Sequence, residues 1–264
     1  SRCLCGGQRA RGEMGRIPAT SLHVLLLFLL VQHGSCRREL QVNNGGACLA
    51  VAGEDFAVIA ADTRLSLDLN VHTRNVQRIF KVGDALLSAS GCHADCQALA
   101  VSMSRRVRDY EWTCGRPPTT TAVANMLSNE LYSRRFQPYF ALCVLCGLDE
   151  HGRGAVYSFD GIGSFERVRC FVSGAGQHLM QPLLDRLSLF EAADGRWQFD
   201  DLTGGFSEAL EDAPVVSAGE EEVKREVLRS FRAAAEREVT IGDAVRLRVL
   251  RRGGGAAGEE VLPL

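Results

Sequence analysis

Lysine is almost missing from this chain. Of 30 basic residues in 264, only Lys81 and Lys224 are lysines, so any chemistry that needs a titratable side-chain amine must use one of those two. An excess of charge of one sign is missing too, with a formal net charge of -2, 23% charged and 46% hydrophobic residues. That balance excludes a disordered or collagen-like chain and argues against nucleic-acid binding through a basic surface. The long apolar runs of a multi-span membrane protein are also absent. The nearest is Leu22 to Val31, too short to cross a bilayer as a helix. No Asn-x-Ser/Thr sequon occurs to support a secreted life.

Cysteine is present ten times, but diluted over a chain long enough to bury its own core, so the cysteines read as small apolar residues. Cys143 and Cys146 form a CxxC inside an apolar run that suggests a strand. Side chains three apart on a strand point to opposite faces, which argues against a shared metal. Cys92 and Cys96 can share a helix face beside His93, but no second ligand pair at metal spacing accompanies them. No metal and no cofactor are expected.

Residues 1–46 differ in character from the remainder of the chain. Cys3 to Arg16 is Gly/Arg-rich, and from Met14 onward Arg16 precedes the apolar Leu22 to Val31, with Gly34 and Ser35 after it. This is a signal-like pattern, equally compatible with a propeptide or with sequence ahead of the true start, and it is expected to lie outside the fold.

From 47 to 264 the pattern is regular. Cys48–Ala52 and Phe56–Asp62 flank Gly53-Glu54-Asp55, and Gln77–Val82 and Ala85–Ser90 flank Gly83-Asp84, so two hairpins are expected. A helix follows Gly91, with Leu99, Met103, Val107 and Tyr110 at helical spacing. A second begins at Thr119 or Thr120, with Val123, Met126, Leu127 and Leu131 on one face. Strands at Tyr139–Leu148, Ala155–Phe159 and Glu166–Ser173 precede two more helices. One is Gln177–Leu189; the other runs from Glu220 to Glu238, opened by a Ser217/Glu220 capping box. Ala244–Leu250 and Glu259–Leu262 close the chain. This order predicts two antiparallel sheets packed face to face with helices outside, a four-layer αββα sandwich. Phe190–Gly219, rich in Asp, Glu and Gly, reads as a long surface excursion.

The same order carries Gly45-Gly46 directly before the first strand, GEDFAVIAADTRLS (Gly53 to Ser66), SGCHADC (Ser90 to Cys96), LYSRRFQPYF (Leu131 to Phe140) and GLDEHGRGAVYSFDGIGSF (Gly147 to Phe165). In this it resembles the proteasome β subunits from about Asn43 to the carboxyl end. The resemblance implies the amino-terminal-nucleophile hydrolase fold, in which a propeptide is cut after Gly to free a Thr. The Thr hydroxyl attacks a peptide carbonyl, with its own amine, a lysine and an Asp in support. Here the residue after Gly46 is Ala47, and a methyl group is no nucleophile. The family's lysine position falls on Arg78, whose guanidinium stays protonated. Lys81, three residues on, is expected on the other side of the sheet. The family's serine, later acid and later serine fall on Ala175, Glu238 and Ile241, and only Asp62 remains of the expected set.

The resemblance therefore implies a non-catalytic subunit of the proteasome core. Its partners would be other α and β subunits in a four-ring particle, with no nucleic acid or membrane partner, and its place the cytoplasm and nucleus. An alternative assigns chemistry to Cys48, exposed by cleavage after Ala47. A secreted or organellar protein that borrowed the fold is a third reading. Asp62 and Arg64 read as remnants of a site or, in the favoured structural reading, as a turn and ion pair, and His93 reads as a capping or interface residue. Tyr132, Arg134 and Arg135, with Phe136, Tyr139 and Phe140, form a candidate contact patch at a helix-to-strand corner.

Overall fold

The computed structural model describes residues 42–67, 70–189, 215–253 and 258–264. The readings of residues 1–41, including Leu22 to Val31, and of 190–214 lie outside them. Aliphatic and alanine-rich runs broken by Gly and Asp form the strands. β1 (Ala47–Ala52) and β2 (Phe56–Asp62) pair antiparallel, Cys48 opposite Ala61 and Ala52 opposite Ala57. β3 (Leu65–Leu67) and β4 (Asn70–Thr73) form a small separate hairpin, too short to leave a readable alternation. β5 (Ile79–Val82), β6 (Ala85–Gly91), β7 (Ala141–Leu148), β8 (Gly154–Phe159) and β9 (Phe165–Val168) form one antiparallel sheet in that order. β10 (Cys170–Gly174), β1, β2, β11 (Ala244–Arg251) and β12 (Glu260–Pro263) form the other.

Alternation along the strands sets the layers. Cys48, Ala50, Ala57, Ile59 and Ala61 of one sheet meet Ile79, Leu86, Val144, Cys146 and Val156 of the other in a buried core between the sheets. Small side chains dominate the first face and let the sheets approach closely. The opposite face of β1 and β2, with Ala47, Leu49, Val51, Val58 and Ala60, packs under α3 (Gln177–Leu189) and α4 (Glu220–Ala235). α1 (His93–Cys114) and α2 (Thr120–Ser133) cover the second sheet through Leu99, Met103, Val107, Val123 and Leu127. The result is the four-layer αββα sandwich. Cys143 belongs to the helix-side core and Cys146 to the inter-sheet core, so the CxxC pair is split across the sheet.

Two expectations are corrected here. Glu166–Ser173 is two strands: the chain leaves one sheet after Val168 and joins the other at Cys170. The Arg169 carbonyl at the junction accepts from Ala52 N at 2.8 Å. Ser217 and Glu220 form no capping box. The N-cap is Gly219, which has no side chain to cap with, and the Glu220 carboxylate is taken by Arg251, at 2.6 and 2.7 Å, and by Lys224 at 2.8 Å. Of the Phe190–Gly219 segment only residues 215–219 are described, and there Val216 is fully buried, bridges Gly53, and donates from N to Ala52 O at 2.7 Å. By contrast Thr119 caps α2 as expected, accepting from Ala122 N at 3.2 Å.

The folded unit begins at Val42, ahead of the expected boundary at Ala47. Asn44 ties this lead-in down. Its N–H donates to Gly91 O at 2.9 Å, its side-chain amide donates to Ser66 O at 3.2 Å, and its Oδ1 accepts from His93 N at 3.0 Å. Asn44 thereby serves the first turn of α1, whose own N-cap, Cys92, makes no side-chain cap. His93 is the residue being capped, not the capping one. Among the described residues no helix is long and apolar enough to cross a membrane.

Candidate functional site

The pairing of β10, β1, β2 and β11 places Gly174, Ala47, Asp62 and Val245 side by side at one end of the first sheet. There Ala47 N, an amide following Gly46, donates to Asp62 Oδ1 at 2.9 Å, and Arg64 N donates to Asp62 Oδ2 at 3.3 Å. Asp62 is buried. Burial pushes its carboxyl up to about 6, against the opposing pull of Arg78 and of the N–H groups of Ala47 and Arg64.

Arg78, immediately before β5, supplies the countercharge. Its side chain is wholly buried, with Nε 3.3 Å from Asp62 Oδ1 and Nη2 donating to Arg64 O at 2.5 Å. The guanidinium lies against Gly46, where an added Cβ would stand 2.3 Å from Cζ and Nη2. Gly46 itself has φ +85°, a conformation that only glycine adopts without strain. Position 46 must therefore be glycine for two separate reasons. Lys81 is exposed and takes no part.

The remaining predicted positions surround this pair without adding chemistry to it. Ala175 contributes its backbone, donating from N to Gly46 O at 3.0 Å. Ile241 is buried in the helix-side core against Gly176. Glu238 turns its carboxylate to Thr240, accepting from its N at 3.2 Å and its Oγ1 at 2.9 Å. Thr240 in turn packs on Gly45. The structure thus brings Ala47, Asp62 and Arg78 into direct contact, Ala175 through its main chain, and Glu238 and Ile241 only at one remove.

A sequence model of the family described as "Proteasome subunit" matches residues 42–194. The chain belongs to the proteasome subunit family. It is 38% identical over 222 residues to "Proteasome subunit beta type-1-B" of Carassius auratus, covering 84% of this chain and 86% of that one. It is also 38% identical over 213 residues to "Proteasome subunit beta type-1" of Drosophila melanogaster, covering 80% and 84%. A third relative, "Proteasome subunit beta type-6" of Saccharomyces cerevisiae, is 36% identical over 214 residues, covering 80% and 85%.

In this proteasome subunit Cys48 faces the core between the sheets, the opposite side of β1 from Ala47. Its thiol is fully buried, and burial raises it to about 11, the reverse of what a nucleophile needs. Arg64 does pair, with Asp243: Nε to Oδ2 at 2.8 Å, with Arg74 on the other carboxylate oxygen. It also donates to Val239 O at 2.9 Å. Asp243 and Asn44 are organising residues that motif reading missed. The available signals were the Gly242-Asp243 turn, where Asp243 adopts φ +68°, and an Asn just ahead of the double glycine.

The helix-to-strand corner is also assembled in this proteasome subunit. Arg134 lies over the ring of Tyr139, and Arg135 lies over those of Tyr132 and Phe136.

Proposed function

We propose that this proteasome subunit is a non-catalytic β subunit of the 20S core particle, at the sixth position of the β ring. It contributes contact surface and chamber wall to a machine in which other subunits cut peptides. The observation that carries the reading is Ala47 at the nucleophile position. Its nitrogen is an amide bound to Asp62, and the lysine position holds a buried arginine. Hydrolysis by this family's route needs a hydroxyl or thiol, a free amine as base and a titratable neighbour, and these residues supply none of them.

The partners are then other α and β subunits, arranged as two β rings between two α rings, acting in ubiquitin-dependent protein degradation in the cytoplasm and nucleus. Neither nucleic acid nor membrane is a partner in this reading. Native mass spectrometry of the protein from its own cells, with its mature amino terminus read from the same sample, tests the proposal. A particle of many different α- and β-type subunits is expected, with this chain beginning upstream of Ala47. A free monomer, or a chain beginning at Cys48, overturns it.

A further inference from the structure

The corner at the end of α2 carries charge that no carboxylate among the described residues compensates. After Ser133 the backbone makes two tight turns, Arg135 N to Tyr132 O at 3.1 Å and Gln137 N to Arg134 O at 2.8 Å, before entering β7. Arg134 stands 4.5 Å from the centroid of Tyr139, and Arg135 stands 4.7 and 4.5 Å from those of Tyr132 and Phe136. These contacts place each guanidinium over an aromatic ring and leave its charge and most of its donors available.

Exposed apolar surface lies beside this charge. Phe136 is 84% exposed and Tyr132 56%. The turn after β8 reaches the same corner, since Gly163 sits where an added Cβ would be 2.5 Å from Ser128 O and 3.2 Å from Tyr132 N. Ile162 of that turn is 52% exposed. Asp160 rigidifies the turn by accepting from the N–H groups of Ile162, Gly163 and Ser164.

The nearby acids are already committed. Glu130 is buried and paired with Arg106 at 2.5 Å, with Ser102 donating to its other oxygen at 2.8 Å, and Asp95 accepts from Phe140 N at 2.9 Å. Among the described residues neither Arg134 nor Arg135 has a carboxylate within 4 Å. Arginine and aromatic side chains held rigid beside exposed apolar surface have the composition and preorganisation of a binding hot spot.

We propose that this corner docks a segment of another subunit of the core particle, one that presents a carboxylate to Arg134 and Arg135 and an apolar side chain to Phe136 and Ile162. A second copy of this chain does not fit, because a symmetric contact would set the two arginine pairs against each other. The proposal rests on the proteasome assignment above and names which surface of the subunit carries it.

Two measurements on the full chain in cells test it. Tagged wild type, Arg135→Glu and Phe136→Asp are expressed separately, and their incorporation into assembled particles is quantified by native mass spectrometry. Each variant is expected to incorporate at least about ten-fold less than wild type, as loss of a desolvated charge pair or a hot-spot aromatic implies. In the second measurement a photoreactive phenylalanine replaces Phe136 in an otherwise wild-type chain. Its crosslink is expected on an Asp- or Glu-containing peptide of a different subunit. Undiminished incorporation of both variants, a crosslink to a second copy of this chain, or no crosslink within assembled particles overturns the proposal. If the wild type itself never enters a particle, the proteasome-core reading fails instead, so the two failures are told apart.

Discussion

The guanidinium of Arg78 and the α-carbon of Gly46 are fitted to one another so closely that a Cβ on Gly46 would meet Cζ at 2.3 Å. Gly46 and Arg78 therefore form one packed unit, closed by Asp62. The unit is a structural brace at the mouth of β1, and its parts cannot be exchanged singly.

Restoring the hydroxyl alone is accordingly expected to restore nothing. Ala47→Thr should show neither cleavage at the 46–47 bond nor hydrolysis of fluorogenic peptides. The planar guanidinium of Arg78 still fills the place where the family's route uses an amine, and the residue 47 nitrogen remains an amide. Amino-terminal sequencing and a peptidase assay on particles containing the variant check this. Turnover by Ala47→Thr with Arg78 intact would show that arginine can serve where lysine was thought necessary.

The brace should also be visible as stability. Arg78→Met leaves the Asp62 carboxylate in a dry site with backbone donors only, and an uncompensated buried charge costs about 3–5 kcal/mol. Asp62→Asn combined with Arg78→Met removes both charges and should recover most of that loss. Denaturant unfolding of the single and double variants gives the comparison. Additive losses would mean that the two side chains are not coupled.

Acid sensitivity has a source at the other end of the molecule. Glu220, at the start of α4, is held down at about 2 by hydrogen bonds from Arg251 and then by Lys224. Its folded value lies below the ordinary 4.5, so the stabilisation is present above pH 4.5 and fades as pH falls toward 2. Arg251 is 46% exposed, so solvent screening limits the size of the effect. Glu220→Gln should lower the unfolding midpoint at pH 6 and flatten its pH dependence between 4.5 and 2. An unchanged slope in that window would assign the acid sensitivity elsewhere.

The sequence announces the fold wherever side-chain periodicity does the positioning. Val223, Val227, Phe231 and Ala234 lie on the buried face of α4, and the Thr119 cap lies where its hydroxyl can reach the first turn. It is silent where one chain run serves two sheets, since no glycine or proline marks the junction at Arg169 within Phe165–Ser173. It also misleads where a side chain has a distant competitor, as Glu220 does in Arg251. At the site, Ala47 is legible as a missing hydroxyl. Complete burial of Arg78 is not, because arginine is ordinarily a surface residue and its acceptor, Asp62, lies 16 positions earlier. Asn44 is hidden for the same reason, with its contacts at Ser66, Gly91 and His93 fixed only by tertiary packing.

Thiol reactivity separates the structural reading of β1 from a catalytic one. A cysteine nucleophile reacts as its thiolate, so it needs a lowered pKa and an open approach. Cys48 has neither: it is enclosed between the sheets, and burial raises its thiol to about 11. Cys114, at the end of α1, is exposed, and Cys92 is half-buried. Brief treatment of the native protein with iodoacetamide, followed by peptide mapping, should find, among the described cysteines, Cys114 modified first and Cys92 more slowly. Cys48 should be modified only after denaturation, at the pace of the equally buried Cys146. Rapid native labelling of Cys48 would require an open end to β1, which the contact of Ala47 with Asp62 and of Gly46 with Arg78 does not permit.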